Sequence, residues 1–235
     1  MKIVGFIKTS FMDWDGKISS VIFLPGCTFR CPFCYNSEMV LDTEKLEGLP
    51  WEPIKDHFIE NKDFLDGVCI TGGEPTLTPE LPKLCKDIKE LGLKVKLDSN
   101  GTNPKILKQL IDEKLIDFVA MDIKTSFDKY PAACGMNDKK LIEAVKQSVQ
   151  IIMNSGIDYE FRTTVVPTLH TIEDMQKMSE QIKDAKKYVI QNFLQEKTLS
   201  PELQKQKPFS REEINKFVEI AKKNIKKVIF RGKAI

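Results

Sequence analysis

Apolar residues recur along this chain in two alternating rhythms. Short β-branched runs at residues 18–24, 67–71, 95–98, 117–122, 159–166, 188–193 and 228–230 have the length and composition of strands. The opening run from Met1 to Ile7 reads as a further strand. Helical spacing fills the intervals. Leu81, Leu84, Cys85, Ile88 and Leu91 share one face of a helix expected to open at Thr78-Pro79 and stop at Gly92. Ile106, Leu107, Leu110 and Ile111 mark a second helix, opened by Asn103-Pro104, where a polar cap precedes proline. A third runs over 141–153 and ends at Asn154-Ser155-Gly156. Thr171-x-x-Asp174 and Ser210-x-x-Glu213 have the form of capping boxes that open two more. A weaker helix is expected over 51–60, and residues 194–208 follow neither rhythm.

The alternation gives about six strand–helix units. Right-handed crossovers place the helices outside a parallel sheet, and six units are too few to close an eight-stranded barrel. The expected fold is therefore α/β, an open partial (β/α)6 barrel, in a single domain over residues 1–235. Charge narrows the function. The 36 basic and 34 acidic residues leave a net +2, which steers the chain to neither nucleic acid nor an anionic membrane. Lys222-Lys223 and Lys226-Lys227 flank a helical stripe and read as a solvated face. No apolar run is long enough to span a bilayer, and no signal peptide is evident. Six cysteines without a secretory signal point to a reducing cytoplasm, where thiols bind metal or stay free.

Chemistry-bearing residues gather where strands are expected to end, as functional sites do in such folds. Cys27, Cys31 and Cys34 follow the 18–24 run with C-x3-C-x2-C spacing and no fourth cysteine nearby. Structural zinc takes four closed ligands, and electron-carrying clusters usually take four cysteines. Three thiolates on one loop suit a cubane cluster whose fourth iron stays open. Gly72-Gly73-Glu74-Pro75 ends the next strand. Its glycines let backbone approach a ligand, and its carbonyls and carboxylate can hold an ammonium group; a plain strand-to-helix turn is the other reading. Asp98-Ser99-Asn100 and Asp122-x-Lys124 end the next two strands. Two neighbouring carboxylates call for a cation or base between them, although a capped turn at Asn100-Gly101 also accounts for the first run. Arg162 lies inside an apolar strand, where its fork suits a carboxylate or else an ion pair at the surface. Cys69, Cys85 and Cys134 read as buried inert thiols. His57 and His170 are not placed for acid–base work and read as structural or solvated.

The cysteine spacing, with an aromatic residue before the last cysteine, resembles the radical S-adenosylmethionine superfamily. That resemblance implies the superfamily's partial barrel and one [4Fe–4S] cluster held by Cys27, Cys31 and Cys34, the residues on which catalysis would rest. The amino and carboxylate groups of S-adenosylmethionine would chelate the fourth iron. It further implies one-electron reduction of the sulfonium, cleavage of a carbon–sulfur bond, and hydrogen abstraction by a 5′-deoxyadenosyl radical. Phe33 and Tyr35 would lie near the cofactor, and Gly72, Gly73 and Glu74 would hold the methionine amino group. Asp98, Ser99, Asn100, Asp122 and Lys124 are similar to Asp-Thr-Asn-Gly and Asp-x-Lys runs in activating enzymes of glycyl radical proteins. Those runs serve a monovalent cation and the ligand carboxylate, which Arg162 would also meet. Serine at 99 in place of threonine keeps the hydroxyl.

Ser10-Phe11-x-Asp13-x-x-Gly16, Phe23-x-x-Gly26-Cys27 and Cys31-Pro32-x-Cys34-Tyr35-Asn36 narrow the resemblance. They are similar to activating enzymes of anaerobic ribonucleotide reductase and, more distantly, of pyruvate formate-lyase. The implied partner is a glycyl radical protein. The inserted ferredoxin-like cysteines of larger activases are missing, which implies an external one-electron donor such as flavodoxin or ferredoxin. Residues 194–208 would cover the mouth of the pocket and contact the partner. Two alternatives stand beside this reading. One is a small-molecule radical enzyme of the 7-carboxy-7-deazaguanine synthase kind, whose pocket should be enclosed. The other is a non-catalytic iron–sulfur electron carrier, which the missing fourth cysteine and the Gly-Gly-Glu run disfavour.

Overall fold

Eight strands form one sheet in the order in which the chain makes them. They are β1 (Gly5–Ser10), β2 (Ser19–Leu24), β3 (Gly67–Gly72), β4 (Lys94–Ser99), β5 (Phe118–Asp122), β6 (Asp158–Val165), β7 (Tyr188–Asn192) and β8 (Val228–Arg231). The computed structural model describes residues 1–196 and 198–232. β1 pairs antiparallel with β2, and every later pair is parallel. Eight helices accompany the strands: α1 (Ser37–Leu41), α2 (Trp51–Asn61), α3 (Leu81–Glu90), α4 (Pro104–Asp112), α5 (Tyr130–Cys134), α6 (Lys139–Met153), α7 (Ile172–Gln181) and α8 (Arg211–Ala221). With α2, α3, α4, α6, α7 and α8 as crossovers, the chain makes the six parallel units expected, and β8 and antiparallel β1 flank them. The sheet curves but does not close: β1 and β8 are its two edges.

Local sequence accounts for most boundaries. Leu81, Leu84, Cys85 and Ile88 are all buried on α3. Both capping boxes form, at Thr171/Asp174 and Ser210/Glu213, and the Asn103 side chain caps α4 at Ile106 N. α3 begins later than Thr78-Pro79 because a 3-10 turn, Pro75–Leu77, intervenes and takes the Thr78 N–H at the Pro75 carbonyl. α1 and α5 have five residues each, too few to show a helical period. A 3-10 turn, Leu203–Lys205, also interrupts the segment that showed no pattern. Among the described residues no helix is long and apolar enough to cross a membrane.

The turn between β1 and β2 closes the bottom of the open barrel. Trp14 is buried there, its ring 5.8 Å from that of Phe118. Asp15 accepts from Lys187 at 2.5 Å and from Arg231 at 2.8 Å. Both basic groups also reach buried Glu160, at 2.7 and 3.1 Å. Ionic contacts thus join the first and last parts of the sheet, where no hydrogen-bond ladder does among the described residues.

Candidate functional site at the strand ends

Strand ends and the loops after them line one cavity of about 590 Å³. Cys27, Cys31 and Cys34 stand on its wall, with Phe33, Tyr35, Gly72, Gly73, Asp98, Ser99, Asn100, Asp122, Lys124 and Arg162. Register explains the convergence: Leu24 pairs with Gly72, Ser99 with Met121, and Asp122 with Arg162. Every residue expected at the site lies on this wall except Glu74. Its carboxylate is fully buried and accepts from Thr76 Oγ1 at 2.6 Å, Ser99 Oγ at 2.9 Å and Asn100 N at 2.6 Å. Glu74 ties the end of β3 to the end of β4 and leaves the wall to its glycine neighbours.

The cysteine loop is held from three sides. Gly26 N donates to Met39 O at 2.8 Å, Asn36 Nδ2 to Gly72 O at 2.9 Å, and Arg30 N to Cys134 O at 2.7 Å. Glycine is required where the loop crosses β3. Gly72 has φ of 126°, and a side chain there would collide with Leu24 backbone; one at Gly73 would collide with Gly26 O. Burial pushes the Cys27 thiol up to about 11 and raises that of Cys34. Cys31 differs, because hydrogen bonding with the Cys134 thiol lowers it. Cys134 is buried, as expected, but the sequence did not place it against the cysteine loop.

Opposite the thiols, charges alternate along the barrel interior. Lys96 Nζ donates to Asp98 Oδ1 at 2.5 Å, and Arg162 Nη1 to Asp98 Oδ2 at 3.1 Å. Arg162 Nε donates to Asp122 Oδ1, and Lys124 Nζ to Asp122 Oδ2, both at 2.9 Å. Burial alone would raise Asp122, but Arg162 and Lys124 outweigh it and hold the carboxyl at about 2. Burial likewise opposes ionisation of Asp98, and Arg162 and Lys96 overcome it, leaving the group below its ordinary value.

Three further residues position this row. Tyr130 Oη accepts from Lys124 N at 3.1 Å, and Lys124 O lies 2.8 Å from His170 Nε2. Val166 N donates to His170 Nδ1 at 2.9 Å, so the network assigns the ring proton to Nε2. Burial lowers the His170 pKa and keeps the ring neutral. Lys96 is the third. A lysine two places before Asp98 in a strand shares its face, and that was a readable signal. Tyr130 and His170 had none, since only the fold brings them to Lys124. On the rim, Leu194 N donates to Tyr35 Oη at 2.6 Å and Ser200 N to Pro32 O at 2.8 Å. Residues on both sides of Lys197, which lies outside the described residues, are thus tied to the cysteine loop.

A model of the family described as the radical SAM superfamily matches residues 21–182. The chain belongs to the radical S-adenosylmethionine superfamily. Within it, a provisionally named glycyl-radical enzyme activating enzyme of Methanocaldococcus jannaschii is 34% identical over 97% of this chain and 95% of its own length. The pyruvate formate-lyase-activating enzyme of Clostridium pasteurianum is 29% identical over 78% of this chain and 76% of its own. Among solved structures, Streptococcus suis SuiB shares the fold, with a TM-score of 0.68 at 16% identity over 90% of this chain. The chain spans about half of SuiB, 49%.

A radical S-adenosylmethionine enzyme holds a [4Fe–4S] cluster and S-adenosylmethionine. This chain's donor set fits them. Cys27, Cys31 and Cys34 are not gathered on a single metal point, since no group of three such ligands converges so among the described residues. A cubane asks for something different: each thiolate binds its own iron, so the three cysteines must share the wall of one cavity, as they do here.

Proposed function

We propose that this chain is the activating enzyme of a glycyl radical protein, and that the protein is an anaerobic ribonucleotide reductase. Cys27, Cys31 and Cys34 would hold the cluster and leave its fourth iron for S-adenosylmethionine. Together these groups supply a hydrogen-abstracting radical, with the electron delivered by an external donor such as flavodoxin or ferredoxin. The chain's own residues bind and orient. Arg162 and Lys124 face the ligand carboxylate with their remaining donors, the Gly72–Gly73 backbone faces its amino group, and Phe33 and Tyr35 shield it from water. The six free cysteines suit a reducing cytoplasm.

One observation carries the choice of a protein substrate. The cavity is not enclosed: Leu194 is 48% exposed and Gly232 is exposed on its rim, where a peptide loop can enter. A glycine in such a loop is a suitable target. Its radical is stabilised by the flanking amides, and no side chain blocks approach. The Cys31-Pro32-x-Cys34-Tyr35-Asn36 run resembles that of the activating enzymes of anaerobic ribonucleotide reductase, which is the reason for naming that partner. Residues 194–208 would meet the partner at this rim.

Electron paramagnetic resonance tests the reading. Reduced enzyme, S-adenosylmethionine and the candidate reductase should give a doublet glycyl signal, lost when the partner's glycine becomes alanine. Turnover of a free small molecule, with no protein radical from any candidate, would favour the deazaguanine-synthase kind of enzyme instead.

A further inference from the structure

The least expected group in the barrel interior is Lys96. It is 1% exposed, does not reach the cavity wall, and points its ammonium at Asp98 Oδ1, 2.5 Å away, and at Cys69 Sγ, 3.6 Å away. Burying an ammonium is costly unless an opposite charge compensates it. Asp98 compensates it here, but Asp98 is also bonded by Arg162, so the pairing serves more than Lys96 itself.

The monovalent cation expected from the sequence does not fit beside this arrangement. A small cation needs oxygen donors whose negative charge is not already balanced by basic groups. Asp98 and Asp122 are its natural ligands, and each of their four oxygens already accepts a bond from Lys96, Arg162 or Lys124. Three basic side chains face two carboxylates, an excess of one positive charge. Neighbouring Glu160 also acts on Arg162, but it and Asp15 are balanced by Lys187 and Arg231, so the excess remains. Without Lys96 the row would be neutral, and a ligand carboxylate would find no net attraction unless a cation joined it.

We propose that the Lys96 ammonium occupies the place of a monovalent cation, so that this chain binds the S-adenosylmethionine carboxylate without one. Lys96 is a positioning residue. It neutralises Asp98 from beneath, which leaves Arg162, the other partner of Asp98, to turn its remaining donors toward the ligand beside Lys124. The proposal rests on the cavity being the S-adenosylmethionine pocket, and it is independent of which partner receives the radical.

Two measurements test it. In the first, sodium NMR line broadening is followed on the cluster-free protein. The wild type should not broaden the sodium signal, and Lys96→Met should, because the ammonium that balances Asp98 is gone. In the second, anaerobic calorimetry measures S-adenosylmethionine binding to the cluster-loaded protein. Choline chloride is exchanged for sodium or potassium chloride at equal ionic strength. Wild-type affinity should stay within about twofold across the three salts, less than half a kcal/mol. Lys96→Met should bind about tenfold more weakly in choline and recover in sodium or potassium. Lys96→Gln, which keeps length and a hydrogen bond to Asp98, is the second variant should Lys96→Met fail to fold, and it should behave alike. Sodium broadening by the wild type, or a wild-type affinity that collapses in choline, would overturn the role of Lys96 and leave the pocket standing. Equal salt response of variant and wild type would overturn it too. Absence of binding in every salt would remove the pocket assignment and the proposal with it.

Discussion

The six cysteines of this chain sit in unlike settings. Cys27, Cys31 and Cys34 line the cavity, whereas Cys85 lies in the α3 core, where burial lifts its thiol to about 12 and makes it inert. Cys134 is intermediate, buried yet held against the cysteine loop, its carbonyl accepting from Arg30 N. A fourth ligand at Cys134 would close the iron that S-adenosylmethionine needs. Anaerobic reconstitution should therefore load about four irons per chain in Cys85→Ala and Cys134→Ala, as in the wild type. Cys31→Ala should lose the cluster absorbance. Loss of the cluster in Cys134→Ala would make that residue a ligand and remove the open site.

Between elements, His170 does for Lys124 what a cap does for a helix. It sits between the end of β6 and the start of α7, and it links Val166 N to Lys124 O, just past β5. Burial holds its folded pKa below the ordinary 6.5, so the unfolded chain takes up the proton first. Stability from this residue is full above pH 6.5 and is lost as pH falls below it, by at most about 1.4 kcal/mol per pH unit. Asp98 and Asp122 act in the opposite sense of charge and much lower. Their carboxyls sit below the ordinary 3.8, so their contribution is lost only as pH falls through that range. Urea unfolding of cluster-free protein between roughly pH 7.5 and 5.5 should show a falling stability that His170→Gln flattens. An equal slope in both proteins would assign the acid sensitivity elsewhere.

At the scale of the whole molecule, an open barrel must keep its edges in register without a ladder between them. Trp14 and the Asp15–Lys187–Glu160–Arg231 group do this across the barrel interior, with Arg231 also reaching the cavity wall. The two acids should not contribute alike. Glu160 is 2% exposed, and its loss leaves Lys187 and Arg231 with only the half-exposed Asp15 as partner, a cost near the lower end of the roughly 3–5 kcal/mol of a broken buried pair. Asp15 is 47% exposed, so its pairs are worth about 1 kcal/mol or less. Glu160→Gln should lower the melting temperature by roughly 6–12 °C, and Asp15→Asn by a few degrees at most. Equal shifts would mean that solvent screening at Asp15 is weaker than its exposure implies.

The division between chain and fold follows from the range of the forces involved. Strands and crossover helices were legible because burial imprints a period on neighbouring residues, as in Leu81–Leu84–Cys85–Ile88, and capping boxes lie within four residues. The cavity wall was legible because parallel strands put their carboxyl ends together, so polar residues after successive apolar runs had to meet. Glu74 could be placed in the right loop but not on the right side of it, since its orientation depends on Thr76, Ser99 and Asn100. Lys96 could be placed on the face of Asp98 but not weighed, because the charge of the row includes Arg162 and Lys124 from other strands. Tyr130, His170 and Cys134 meet Lys124 and Cys31 only through loops after β5 and β6, and contacts between segments distant in the chain leave no period in it. Sequence alone determined the longer elements, their order and the grouping of three cysteines on one loop. Tertiary structure decided which charges cancel, which groups hold Lys124, and what remains to meet a ligand.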